Sequence, residues 1–247
     1  MIQRLRNSGA ARMFGTAGIV LAVRVSGTLL TLTYTLLMIG VAPPEEVGHA
    51  FAALSAGFLL SVVASLNVES GSIRFLPLYF ENDRKADAAG YVFWCRRTVL
   101  VMTAALMVPA VAILIWRNGL ETMGPYLLSF AAAPISANGR INSRHGIALG
   151  LVLRAALPRM LVRPVFMTAA LGSANLLDLD LNATQIMGAF FVASSLATGL
   201  QWVLIRHAMT FRHEVDPSYK EARDWVPFGL MLSPMLVMHE YLRDVII

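Results

Sequence analysis

Apolar stretches of about twenty residues recur along the whole chain, separated by short charged connectors, and this spacing leaves few folds open. A bilayer core about 30 Å thick takes roughly 20 helical residues to cross, and in lipid only helices and closed barrels satisfy their own backbone polar groups. The runs lie at 15–41, 49–66, 98–116, 126–149, 151–171 and 183–205, and another opens at 225 and continues to 247. Their lengths are those of helices. The expected fold is all-α: a polytopic transmembrane helix bundle of about six helices plus the start of a seventh.

Composition closes the soluble alternative. The chain is 57% hydrophobic and only 14% charged, against about 25% charged in ordinary soluble domains. A soluble fold of this length needs a polar shell that 15 acids and 20 Lys and Arg cannot spread evenly. The net charge of +5 is not a nucleic-acid footprint, because the basic residues sit in connectors between apolar runs rather than on one face. Cys95 is the single cysteine, which excludes an internal disulfide or a cysteine metal cluster.

Connector charge predicts orientation, since Lys and Arg accumulate on the cytoplasmic side. Arg4, Arg6 and Arg12 precede the first run, and Arg74, Arg84, Lys85, Arg96 and Arg97 follow the second. Arg140 and Arg144 fall at the fourth run, and Arg206, Arg212, Lys220 and Arg223 after the sixth. The intervening connectors hold Glu45 and Glu46, then Arg117 and Glu121, then Asp178 and Asp180. A multi-pass protein of a bacterial inner membrane with a cytoplasmic N-terminus is expected, with no cleaved signal peptide. The chain divides into a cytoplasmic basic arm (1–14), a six-helix lobe (15–205), a cytoplasmic inter-lobe loop (206–224) and the start of a second lobe (225–247), whose seventh helix is expected to be truncated.

Arg24 is the one charge inside the first run, and an arginine at mid-membrane costs about 2.5–3.5 kcal/mol on insertion scales. Either it faces a water-filled cavity and holds an anionic group with its planar fork, or the helix starts near Val23 and the side chain snorkels to the headgroups. Glu69 and Arg74 close the second run. Five residues apart, they are offset by about 140° on a helix and do not form a simple local pair. Glu69 is a protonatable coupling site, a partner for a cavity arginine, or an ordinary helix-end charge. Arg154, Arg159 and Arg163, with Pro158 and Pro164, make the fifth run basic: a seam beside a cavity, or a cytoplasmic elbow with snorkelling stems.

Other patterns carry little. His239-Glu240 lacks the second histidine of a zinc motif, Arg243 standing in its place. Gly146 and Gly150 fit the small-xxx-small pattern of helix packing. Asn182-Ala183-Thr184 is a glycosylation sequon by spelling only. No phosphate-binding glycine loop, nucleophile triad or spaced carboxylate pair occurs, so no enzyme, cofactor or metal site is expected.

Three stretches resemble the polysaccharide-biosynthesis flippases of the multidrug/oligosaccharidyl-lipid/polysaccharide exporter superfamily. Pro44-Glu45-Glu46-Val47-Gly48 looks like that family's Gly-Pro-Glu-Glu-Tyr-Gly turn between its first two helices. Val68-Glu69-Ser70 with Ile73-Arg74-Phe75-Leu76-Pro77 is similar to its Leu-Glu-Ser and Arg-Phe-Leu-Pro pattern. Trp225-Val226-Pro227-Phe228-Gly229-Leu230 through Pro234 to Arg243-Asp244 looks like its seventh helix. The family's usual glycine before Glu-Ser is Asn67 here, and Gly40 stands where an arginine is common.

The resemblance implies one lobe of a two-lobe carrier. Its cargo would be a polyprenyl-diphosphate-linked oligosaccharide for O-antigen, capsule or exopolysaccharide synthesis. The lobe would work in a lipid bilayer with a missing C-terminal lobe or a second copy, and without nucleic acid. Under this reading Arg24, Arg154 and Arg163 contact the anionic head group, Glu69 and Asp244 are the coupling or gating acids, and Arg74 belongs to the helix-end motif. The rival expectations are a multidrug cation antiporter of the same superfamily, a glycosyltransferase or polymerase of the same pathway, and a nonfunctional remnant or membrane interaction subunit.

Overall fold

A computed structural model describes residues 2–119 and 122–232; Asp244 and most of the seventh run lie outside the described residues. The described residues contain helices and no strand. In chain order they are α1 (Ile2–Val41), α2 (Pro44–Ser65), α3 (Ser72–Glu81), α4 (Lys85–Asn118), α5 (Met123–Ala148), α6 (Val152–Leu157), α7 (Arg163–Leu176), α8 (Ala183–Ile205) and α9 (Phe211–Glu214), followed by a helical stretch at 222–232. A π turn, Pro158–Val162, joins α6 to α7, so 152–176 is one continuous rod.

Six rods therefore run alternately between two ends. At the far end the connectors at 42–46 and 177–183 meet. The amide of Leu181 donates to the carbonyl of Val41 (2.8 Å) and that of Ala183 to Glu46 Oε2 (2.6 Å). The start of α2 is built for this place, with proline in its first turn and Glu45 and Glu46 at the positive pole of the helix. Asn182 serves as a cap: its side chain accepts from the Gln185 amide (2.9 Å) and Gln185 Oε1 accepts from the Asn182 amide (3.0 Å), a reciprocal capping box opening α8.

Helices are longer than their apolar runs at the other, basic end. The third run was expected to start at 98, yet α4 starts at Lys85 and its first turns bury Ala88, Ala89, Tyr91, Val92 and Cys95. Counting apolar residues stops at Arg96 and Arg97, whereas the hydrogen-bond ladder does not. The basic arm likewise continues α1 as helix from Ile2 rather than forming a separate element.

Among the described residues four helical stretches are long and apolar enough to cross a membrane: Gly18–Val41, Pro44–Ser65, Lys85–Arg117 and Ala183–Met209. The rods α5 and 152–176 are also of crossing length but carry polar side chains along their course. Of the two, α5 occupies the interior and packs against α2, α3, α4, α6 and α8. Close approach is made at glycine. Where α2 crosses α5, a Cβ on Gly57 would collide with the Oγ and carbonyl of Ser129. Gly146 and Gly150 divide their expected packing role, since Gly146 abuts Ala155 while Gly150 takes φ 77° in the turn after α5.

Candidate functional site

The chain reverses after α2 through two consecutive left-handed residues, Leu66 (φ 47°) and Asn67 (φ 53°), before a 3-10 turn, Val68–Gly71. Asparagine tolerates this conformation better than other non-glycine residues, which explains how Asn67 stands where the resembled pattern has glycine. The knuckle turns Glu69 inward. Its Oε1 accepts from Arg140 Nε of α5 at 3.2 Å, and the two side chains are 2% and 5% exposed. Arg140 also donates from Nη1 to Ser61 Oγ (2.8 Å) and from Nη2 to the Ser61 carbonyl, so one guanidinium ties α2, the knuckle and α5 together. Glu69 Oε2 is buried without a hydrogen-bond partner among the described residues.

Sequence reasoning counted Arg140 among orientation charges and missed this role. The usable signal was an arginine inside a run that has no acid of its own, with Glu69 the one acid closing a neighbouring run. Arg74, next in the same motif, points elsewhere: it is exposed, with its guanidinium 5.6 Å from the Phe75 ring and 5.0 Å from the Phe228 ring. The two motif charges thus separate, Glu69 standing in the 3-10 turn and Arg74 in α3.

Of the three arginines expected at an anion site, only Arg163 lines a cleft. Arg24 is exposed on α1 and has no side-chain partner among the described residues. Arg154 is exposed on α6. Arg163 is half-buried, its guanidinium 5.4 Å from the Phe190 ring, and with Arg159 it lines a cleft of about 10 Å³ between α5 and α8. A second signal went unread in α1. Arg24, Thr28, Thr31 and Thr35 follow i, i+4, i+7, i+11 spacing and form a polar stripe on one helix face. The hydroxyls of Thr28 and Thr31 bond back to the carbonyls of Arg24 (3.1 Å) and Gly27 (2.9 Å), which lowers their cost in an apolar setting.

The basic end is closed by residues 215–232, which sequence reading treated as a loop and a new helix. The Trp225 indole N–H donates to Tyr79 Oη (2.9 Å), whose hydroxyl donates to Glu221 Oε2 (2.8 Å). Arg84 bridges Glu221 and Asp87, and the Ser218 amide donates to the Ala86 carbonyl (2.9 Å). Burial and the Glu221 carboxylate hold the Tyr79 hydroxyl well above its ordinary pKa. Trp225 packs edge-on against Tyr91 and tilted against Trp94, each with centroids 5.3 Å apart.

Among the described residues no three His, Cys, Asp or Glu side chains are grouped to hold a metal ion. What fold and site define, among the described residues, is an all-helical protein with four helices long and apolar enough to cross a membrane and a buried ion pair between α5 and the turn after α2. Comparison with protein-family models, with curated proteins and with solved structures finds no match.

Proposed function

We propose that this chain forms one lobe of an inner-membrane flippase that moves a polyprenyl-diphosphate-linked oligosaccharide between leaflets without covalent chemistry. The observation that carries the reading is Arg24: the one charge in the Gly18–Val41 span, outward-facing and heading the hydroxyl stripe of α1. A charge so placed requires water or an anion, whereas Arg140 at a comparable distance along α5 is already neutralised. In this reading the α1 stripe is the wall of a cavity completed by a second lobe. Arg24 takes the diphosphate bidentately, Arg154 adds positive potential at the basic end, and the polyprenyl tail stays in lipid. The cleft at Arg163 has no room for a diphosphate. Glu69 serves as the acid whose release from Arg140 accompanies lobe movement.

The test is translocation of the lipid-linked oligosaccharide in cells that depend on this chain for it. Arg24→Ala is expected to abolish translocation at unchanged membrane abundance, and Arg24→Lys to retain part, because charge survives without the planar fork. Arg117→Ala, exposed near the end of α4, is the control. Normal translocation by Arg24→Ala refutes the reading.

A further inference from the structure

The seventh run begins on the knuckle that carries Glu69. Its helical stretch at 222–232 sets Trp225 and Gly229 four residues apart on one helix face, and both are buried. A Cβ on Gly229 would stand 2.9 Å from the Leu66 carbonyl oxygen and 3.3 Å from Val68 Cα, so the two backbones meet there with no side chain between them. Phe228 lies edge-on against Phe75 at 5.4 Å, with the Arg74 guanidinium over its ring. One turn earlier Trp225 stands edge-on to Tyr91, whose hydroxyl donates to the Val68 carbonyl. Gly71 leaves room for that hydroxyl, since a Cβ there would lie 2.6 Å from Tyr91 Oη.

The knuckle needs such support. Leu66 and Asn67 both hold left-handed backbone, which costs free energy for any residue with a Cβ and persists only where the surroundings over-determine it. Within the turn, the Asn67 amide donates to Ser65 Oγ (3.2 Å) and the Ser70 amide to the Asn67 carbonyl (3.1 Å). These bonds are local and move with the turn. Support from other elements comes from Arg140 of α5, which takes Glu69, from Tyr91 of α4, which bonds Val68, and from residues 225–229, which press on Leu66 and Val68. Glu69 is the next residue after Val68. A shift of Val68 therefore moves the carboxylate relative to Arg140, and a buried ion pair compensates its desolvation only while its contact is kept.

We propose that Trp225, Phe228 and Gly229 are positioning residues for Glu69: the first turns of the seventh run clamp the left-handed knuckle and so hold the carboxylate on Arg140, and displacement of this helix releases the acid. The assignment concerns how the pair is held. It is read at Glu69 itself and stands apart from the cargo proposed above, which translocation tests separately. The test uses the full chain, purified in detergent and treated with dicyclohexylcarbodiimide, an apolar reagent that adds to carboxyl groups in apolar surroundings; modification of the peptide containing Glu69 is followed over time by mass spectrometry. Arg140 on the carboxylate blocks that addition. Gly229→Ala drives a methyl toward the Leu66 carbonyl, and Phe228→Ala removes the ring packed on Phe75. Each is expected to raise the rate at Glu69 by about fivefold or more through local opening. Gly27→Ala, whose methyl would collide with the Met160 carbonyl in the π turn, loosens packing elsewhere and is expected to leave that rate within about twofold. Should Gly229→Ala not fold, Phe228→Ala decides. A rate at Glu69 unchanged by either substitution in a folded variant, or raised equally by Gly27→Ala, would overturn the proposal.

Discussion

Glu69 and Arg140 are 71 residues apart in sequence and in contact at 3.2 Å, joined inside the bundle where neither side chain reaches solvent. Their attraction offsets the cost of burying each charge only while both are present. Arg140→Gln or Glu69→Gln alone is expected to destabilise the protein by about 3–5 kcal/mol, because the survivor is left buried and uncompensated. The double replacement should cost clearly less than the two singles added. Thermal unfolding of the detergent-solubilised variants measures this, and strict additivity would show that the two groups do not interact.

Gly57 sets how closely α2 and α5 approach. Gly57→Ala forces a methyl into Ser129 and is expected to cost about 1–3 kcal/mol by overpacking. Gly188→Ala in α8, where nothing lies within 4 Å of the added carbon, is expected to be neutral or to stabilise by up to about 1 kcal/mol through helix propensity. Midpoints of unfolding distinguish the two, and equal effects would contradict the packing assigned to Gly57.

Residues 215–225 should resist proteolysis as a docked strap. Replacing Glu221 by Ala removes the shared acceptor of Tyr79 and Arg84, and cleavage within 206–224 is expected to accelerate severalfold while the helical rods stay intact. Trp225→Phe, which keeps the ring but loses the N–H bond to Tyr79, should have the smaller effect of about 0.5–1.5 kcal/mol. Equal cleavage of wild type and Glu221→Ala would show that these bonds do not hold the strap.

Cys95 is the lone cysteine and fully buried, so it should be inert to maleimide until the protein unfolds. In a Cys95→Ala background, cysteines at 28, 31 and 35 are expected to react with a membrane-impermeant thiol reagent faster than cysteines at 29, 32 and 36, which lie on exposed apolar positions of α1. Uniform labelling along α1 would remove the cavity wall from the proposed mechanism.

Lys85 and Lys220 belong to one end of the bundle, tied by the Ser218–Ala86 bond, and Asp180 to the other. Alkaline phosphatase fused near Lys85 or Lys220 is expected to be inactive and near Asp180 active. The reverse pattern would invert the orientation expected from loop charge.

What was legible in the sequence is whatever lipid imposes locally. A run of apolar residues must close its own hydrogen bonds, so 15–41, 49–66 and 183–205 announce helices; α8 coincides with its run, whereas α1 starts at Ile2 and α2 at Pro44, ahead of theirs. That Glu69 and Arg74 do not pair locally was also readable, although the helix expected to carry both ends at Ser65 and places Glu69 in a 3-10 turn and Arg74 in α3. The ends of α4 were not, because Arg96 and Arg97 interrupt the apolar count without interrupting the helix.

Charges whose meaning depends on a distant partner escaped the sequence altogether. Arg140 and Arg24 are both arginines inside apolar runs of similar length; one is buried against Glu69 and Ser61, and the other faces outward along a threonine stripe. Local pattern determines that each residue lies on a helix. Which way the helix is rotated, and what stands across from it, follows from the packing of α5 against α2 and of α1 against α7, because only burial by a neighbouring rod makes a charge need a particular partner.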